Sequence, residues 1–183
     1  MQGHHLILGE LVDFISGEIL VDTHDERYRQ KLARLLVNQK GFLKKEIRPR
    51  CDLLVSAGEK SAIVKIDFEI TVSGKIGMII KYGPGSLVTR QRSALAASRL
   101  VAPHQVPVVV VTNGEDAEIL EGTTGEVLGR GLESIPAKSE LTAKITNTTF
   151  DRISTKQTEI ESRIVYAYEV DGSCPCDDTI CRL

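Results

Sequence analysis

The chain has 183 residues, of which 42% are hydrophobic and 26% are charged, a balance typical of a globular protein with its own core. The formal net charge of -2 argues against a strongly basic nucleic-acid-binding protein. Tryptophan is absent and the aromatic content is 4%, which argues against an aromatic platform for stacking single-stranded bases. No apolar run reaches membrane length and residues 1–5 do not resemble a signal peptide, so we expect a cytoplasmic protein without membrane contact.

The first predicted elements are one or two short strands within residues 6–21, where short apolar runs are interrupted by glycine. A helix is predicted to start at Thr23, because Thr23 and Glu26 have the spacing of a capping box. Gly41 is predicted to end this helix, and residues 44–50 to form a basic extended link. The predicted buried stripe of the helix consists of Tyr28, Leu32, Leu35 and Leu36.

A charged β-hairpin is predicted over residues 51–72. Side chains two positions apart on a strand point to the same face, so Lys65, Asp67 and Glu69 are expected to share a face opposite the apolar residues of that strand. Pairing of the two strands brings Asp52 opposite either Lys65 or Asp67, depending on the register. Acids beside a lysine can hold a divalent cation and a water molecule, or they can form a solvated surface.

The second half of the chain alternates strands and helices. The predicted elements are a strand over 76–81, a helix over 86–102, a strand over 108–111 that is apolar on both faces, an edge hairpin over 118–128 and a helical region over 139–168. This order predicts an α/β fold with a mixed central sheet flanked by helices and a C-terminal helical segment.

Five stretches together resemble a known family. They are Glu26–Gln30, Arg50–Val55, Ile63–Asp67, the helix around Gln91, and Val110–Gly114, which follow in the expected order across about residues 20–136. The family is the N-terminal nuclease domain of type I restriction enzyme R subunits, a branch of the PD-(D/E)xK nuclease superfamily. The resemblance implies a restriction-endonuclease-like core over 1–136, followed by a helical extension over 137–170 and a cysteine-rich tail over 171–183.

The resemblance also implies a metal site. In the family, a helix glutamate, a hairpin aspartate and an acid-x-lysine strand build that site, and Glu26 and Asp52 match the first two by position. Asp52 and Asp67 are then the expected Mg²⁺ ligands, with Lys65 assisting the attacking water, or Lys81 in its place. Glu26 is expected to make an outer contact, and Gln91 completes the candidate catalytic set.

The third element of this chain departs from the family pattern, because Lys65-Ile66-Asp67 exchanges the acid and the lysine. Two functions therefore remain open. One is Mg²⁺-dependent hydrolysis of DNA phosphodiesters, and the other is a catalytically silent nuclease fold that binds nucleic acid or a partner protein; the exchange favours the second.

Expected partners are DNA, other subunits of a restriction system or a second copy of the chain. A DNA-binding patch would have to come from Lys44, Lys45, Arg48, Arg50, Arg90, Arg92 and Arg99.

The four cysteines form a separate candidate site. Cys174, Cys176 and Cys181 lie within eight positions, and Cys51 is the fourth. This arrangement is similar in outline to the iron–sulfur nucleases of the same superfamily, although the C-x-C-x₄-C spacing departs from theirs. Zinc is the competing metal, because tetrahedral thiolate sites suit it. A tail with free thiols is the alternative that needs no metal.

Overall fold

The structure is a computed structural model that describes residues 7–172 and 180–182. Its strands are β1 (Gly9–Val12), β2 (Ile19–Asp22), β3 (Ile47–Ala57), β4 (Lys60–Val72), β5 (Lys75–Tyr82), β6 (Val108–Thr112), β7 (Ala117–Glu121), β8 (Val127–Arg130) and β9 (Cys181–Arg182). Its α-helices are α1 (His24–Asn38), α2 (Val88–Ser98), α3 (Lys138–Thr146) and α4 (Thr155–Val165), and a π-helical turn, Tyr166–Asp171, continues α4. Short 3₁₀ turns are formed by Lys44–Glu46 and Leu132–Ser134.

The main sheet has the strand order β3-β4-β5-β6-β7-β8, and β9 pairs with β4 outside that path. β5 and β6 are parallel, whereas the other neighbours in this order are antiparallel. β1 and β2 form a separate two-stranded sheet. The predicted α/β fold with a mixed central sheet, flanking helices and a C-terminal helix is therefore confirmed. In the described part of the chain, no helix combines the length and apolar character that a bilayer crossing needs.

The sheet separates two hydrophobic clusters. One cluster packs α2 and the end of α4 against the sheet and includes Val109 and Val111; the other packs α1 and α3 and includes Val108 and Val110. All five residues of β6 are buried, which confirms the prediction of a strand covered on both faces. This central strand consequently contributes alternate side chains to both cores.

Strand β4 changes faces in its middle. Val64 and Ile66 belong to the α2 cluster, whereas Phe68 and Ile70 belong to the α1 cluster. The prediction that Lys65, Asp67 and Glu69 share one face is therefore wrong. The physical reason is a local irregularity of the β3–β4 pair, in which Arg50 and Asp67 are skipped in the ladder between the partners Pro49–Phe68 and Cys51–Ile66. Arg50 has φ 51°, in the left-handed region that non-glycine residues rarely adopt.

The start of α1 follows the prediction. Thr23 is the N-cap, and its hydroxyl accepts a hydrogen bond from the Glu26 amide at 3.1 Å. The helix ends at Asn38, shortly before Gly41, which has φ 77°. Its apolar stripe packs in the core, with Leu32 and Leu36 buried and Tyr28 and Leu35 partly buried.

Two predicted segments differ from the structure. Residues 139–168 form two helices rather than one, because Asn147 ends α3, β-branched threonines follow, and Ser154 caps α4 by accepting from the Gln157 amide. Ile160, an apolar residue of α4, is 38% exposed. The predicted basic link over 44–50 is instead a 3₁₀ turn followed by the first residues of β3.

Candidate functional site

Asp52 and Lys65 form the outer part of the candidate site. They lie directly opposite each other in the β3–β4 register, and the Lys65 ammonium contacts the Asp52 carboxylate. The Asp52 side chain is 61% exposed and that of Lys65 is 43% exposed. The pair is therefore a solvated ion pair in the middle of the hairpin.

Asp67 lies in a different environment, with only 5% of its surface exposed. Its Oδ1 atom accepts a hydrogen bond from Nε of Arg29 at 2.6 Å, and its Oδ2 atom accepts one from the backbone N–H of Tyr82 at 2.8 Å. Both carboxylate oxygens are thus engaged by donors from α1 and β5. The side chain is available to these partners because it lies where β4 changes faces.

Arg29 is the cation at the centre of this inner region. Its Nη1 atom lies 3.7 Å from the Glu26 carboxylate, and its guanidinium lies 5.0 Å from the centre of the Tyr82 ring. Burial by itself would lower the pKa of Arg29, but the nearby charges of Asp67, Glu26 and Asp25 outweigh burial and raise the pKa above its ordinary value. Arg29 is consequently a permanent positive charge beside three carboxylates.

Glu26 connects this region to the β1–β2 hairpin through buried polar contacts. Gln30 donates from Nε2 to Glu26 at 2.9 Å and also to Asp13 at 3.1 Å. Arg50 donates to Asp13 at 2.6 Å and lies 3.6 Å from Glu26. Burial would raise the pKa of Asp13, but hydrogen bonds from the Ser16 amide, Arg50 and Gln30 together hold that pKa below its ordinary value.

Sequence reasoning did not identify Asp13, Arg29 or Arg50 as members of this site. Arg29 and Arg50 do lie within the stretches that carry the family resemblance, so their position in those motifs was an available signal. Asp13 had no such signal, because it approaches α1 only through the separate β1–β2 sheet.

Gln91 and Lys81 have partners elsewhere. The Gln91 amide on α2 donates to Glu118 on β7, and Glu118 also accepts from Nε of Arg130 at 3.2 Å. Lys81 is buried and donates to the backbone carbonyl of Lys65 at 2.6 Å. Its second partner is the carboxylate of Glu169 in the π-helical turn, at 2.9 Å. Both side chains are therefore held by contacts within the fold.

The donor set near the hairpin does not fit a Mg²⁺ ion, which needs several oxygen ligands converging at about 2.1 Å. Asp67 has both oxygens hydrogen-bonded to nitrogen donors, and Asp52 is paired outward with Lys65. Among residues 7–172, no three acidic, histidine or cysteine side chains are placed to share one metal ion. Magnesium binding by Asp52 and Asp67 stays a prediction.

Cys51 is buried in the α2 cluster, and its sulfur lies 3.0 Å from Nε of Arg48. Burial raises the pKa of the Cys51 thiol to about 11, against the opposing effect of the Arg48 hydrogen bond. Cys174 and Cys176 lie outside the described residues, as does the side chain of Cys181. The zinc or iron–sulfur site predicted from the four cysteines therefore stays a prediction.

Comparison with protein families matches residues 24–136 to the type I restriction enzyme R protein N terminus. The match covers more than half of the chain and extends from α1 to just before α3. The chain belongs to this family. No curated protein and no solved structure matches the chain. The family assignment predicted from the five sequence stretches is thereby confirmed, and it connects the chain to a type I restriction system.

Proposed function

We propose that this family member is a catalytically silent restriction-endonuclease-like domain that binds another protein of a type I restriction system. One observation carries the proposal: the two acids expected to share a metal ion have separate partners. Asp52 forms an exposed pair with Lys65, and Asp67 forms a buried pair with Arg29. The exchanged order of acid and lysine in Lys65-Ile66-Asp67 supports the same conclusion.

Electrostatics oppose a metal ion at Asp67. A cation entering there would have to displace the Arg29 guanidinium and the Tyr82 N–H, or bind beside a permanent positive charge. Two unit charges about 4 Å apart near a protein surface interact by about 4 kcal/mol, and the divalent charge doubles that repulsion. The arginine therefore supplies the compensating charge that a catalytic metal would otherwise provide.

A protein partner is favoured over DNA because most of the arginines are already paired with carboxylates of the same chain. DNA binding requires cations that are free to neutralise phosphates. Here, Arg50 faces Asp13, and Arg92 and Arg99 both face Glu161. The remaining arginines that face a carboxylate are Arg27, Arg29, Arg48 and Arg130.

The second candidate function is Mg²⁺-dependent hydrolysis of DNA phosphodiesters. The favourable observation is the exposed pair of Asp52 and Lys65, which is open to a substrate and lies on the same hairpin as Asp67. In that function Asp52 and Asp67 would be the metal ligands, and Lys65 would assist the attacking water. The zinc or iron–sulfur site of the cysteines would be an independent structural feature.

One set of cleavage assays distinguishes the two candidate functions. The purified chain is incubated with supercoiled plasmid in Mg²⁺ or Mn²⁺, alongside the matched variants Asp52→Ala and Asp67→Asn. We expect equal background cleavage from all three proteins. Divalent-dependent cleavage by the wild type that is lost in Asp52→Ala would establish the enzyme instead.

The binding role is tested by co-expression with the other subunits of the host's type I system, followed by size-exclusion chromatography. We expect co-elution with one of those subunits at physiological salt. Binding to duplex DNA that weakens steeply with salt, without subunit binding, would favour a nucleic-acid module. Elution only as a dimer would point to a second copy of the chain as the partner.

A further inference from the structure

The Arg29 guanidinium is surrounded by acidic groups in a region that is largely closed to solvent. Asp67 accepts from its Nε atom at 2.6 Å, and the Glu26 carboxylate lies 3.7 Å from its Nη1 atom. Asp25 adds a third negative charge from the first turn of α1, and its Oδ1 atom accepts from the Tyr82 hydroxyl at 3.0 Å. The positive charge of Arg29 thus offsets the negative charges of Asp67 on β4 and of two acids on α1.

We infer that Arg29 is an internal counter-ion that occupies the position of a divalent cation between Asp67 and Glu26, and that removing its charge opens this position to such a cation. The inference rests on the proposed function, in which the wild-type chain uses no metal at this position. It goes further by predicting that the region binds a divalent ion once the charge of Arg29 is removed.

The first argument concerns charge. Asp67 is 5% exposed and Glu26 is 7% exposed, so water solvates their negative charges poorly and a neighbouring cation stabilises both. The other nearby guanidinium, that of Arg50, donates to Asp13 at 2.6 Å and lies 3.6 Å from Glu26, so it offsets part of the charge of Glu26. Arg29 is the cation that contacts Asp67, so its removal leaves the charge of Asp67 to be offset by a cation from solution.

The second argument concerns geometry and ligand type. The Tyr82 amide holds Oδ2 of Asp67, which keeps Oδ1 directed towards the place that the guanidinium fills. Gln30 similarly holds one oxygen of Glu26 at 2.9 Å. A shorter or uncharged side chain at position 29 would leave two anchored carboxylates around a space of guanidinium size. Carboxylate oxygens are the ligands that Mg²⁺, Mn²⁺ and Ca²⁺ prefer.

The test compares Arg29→Met, which keeps the apolar length of the side chain, with Arg29→Lys, which keeps the charge. Thermal unfolding and calorimetric titration are measured with Mn²⁺, Mg²⁺ and Ca²⁺. We expect saturating Mn²⁺ to raise the Tm of Arg29→Met by about 5 °C, with one ion bound, and to leave the wild type and Arg29→Lys unchanged. Adding Asp67→Asn to Arg29→Met should abolish the gain.

Each other outcome is informative. If Arg29→Met is stabilised by lowering the pH but not by any divalent ion, the carboxylates are neutralised by protons and the inference fails. If Arg29→Met is unfolded, Mn²⁺-dependent refolding replaces the Tm measurement, and its absence overturns the inference. Mn²⁺ binding by the wild type that Asp67→Asn removes would contradict the proposed function itself, which distinguishes the two failures.

Discussion

Glu161 on α4 and Arg92 on α2 form an ion pair at 2.8 Å, although the Glu161 side chain is completely buried. Arg99 from the end of α2 and Gln157 from α4 also donate to the same carboxylate. The contact ties a helix outside the region that matches the family to a helix inside it. The C-terminal segment is therefore part of the same packed structure as the family core.

This carboxylate predicts how stability depends on pH. Burial by itself would raise the pKa of Glu161, but hydrogen bonds from Arg92, Arg99 and Gln157 outweigh burial and hold the pKa below its ordinary value of 4.5. Because the folded pKa is the lower one, the stabilisation is complete above pH 4.5 and is lost as the pH falls through the folded value.

We therefore expect Glu161→Gln to lose about 3 kcal/mol of unfolding free energy at pH 7, because two guanidinium groups lose their shared counter-ion. The variant should also show a shallower fall in Tm between pH 5 and pH 3 than the wild type. Thermal unfolding followed by circular dichroism across this range measures both effects. An unchanged slope below pH 5 would contradict the assignment.

A chain ending at Pro136 should not fold. It keeps the whole matched region but removes Leu141, Val165 and Val170, which are fully buried, together with Ile145 and Tyr166. Losing five buried side chains at about 2 kcal/mol each costs about 10 kcal/mol, which is comparable to the total stability of a domain. We expect limited proteolysis to degrade this product rapidly, whereas a control chain ending at Gly172 stays resistant.

Asp67→Asn should be strongly destabilising. The amide oxygen can still accept from the Tyr82 N–H, but Arg29 loses its closest counter-ion. Breaking a buried ion pair lowers the free energy of unfolding by about 3 to 5 kcal/mol. We expect the lower end of this range, because the Arg29 side chain is 22% exposed. Urea denaturation at pH 7 measures the loss, and a change below 1 kcal/mol would argue against the buried pair.

The pair of Asp52 and Lys65, in contrast, should contribute little to the free energy of unfolding. Both side chains are well exposed, so their coupling in a double-mutant cycle of Asp52→Asn and Lys65→Met should be about 0.5 kcal/mol and should shrink in high salt. Urea denaturation of the wild type, the two single variants and the double variant provides the measurement. Coupling above 2 kcal/mol would mean that the pair is shielded from water.

The Cys51 thiol should be unreactive in the folded protein. Its pKa of about 11 lies two units above the ordinary 9.0, so its thiolate population at pH 8 is about a hundredfold smaller than that of an exposed cysteine. In a variant with serine at positions 174, 176 and 181, we expect very slow reaction with a disulfide reagent until urea is added.

In the unsubstituted chain, anaerobic purification followed by metal analysis tests for zinc or an iron–sulfur cluster: a brown protein indicates a cluster.

The local elements were predictable because neighbouring residues determine them. The capping spacing of Thr23 and Glu26 gave the start of α1, and the apolar run of β6 gave a strand buried on both faces. The hairpin pattern allowed two registers for Asp52, and the structure adopts the one opposite Lys65. The predicted helical region over 139–168 does not separate α3 from α4, although Ser154 is a residue type that favours a helix N-cap.

The α/β order of elements and the family follow from the residues read in order, because both depend on short-range periodicity and on motifs along the chain. The partner of Asp67, in contrast, depends on how the strands and α1 pack together. Val64 and Ile66 pack in the α2 cluster but Phe68 packs in the α1 cluster, so β4 changes faces beside the irregular pairing at Arg50, and Asp67 lies at this change next to α1. The resulting contact joins Arg29 and Asp67 across 38 positions, a separation at which no local pattern specifies a partner.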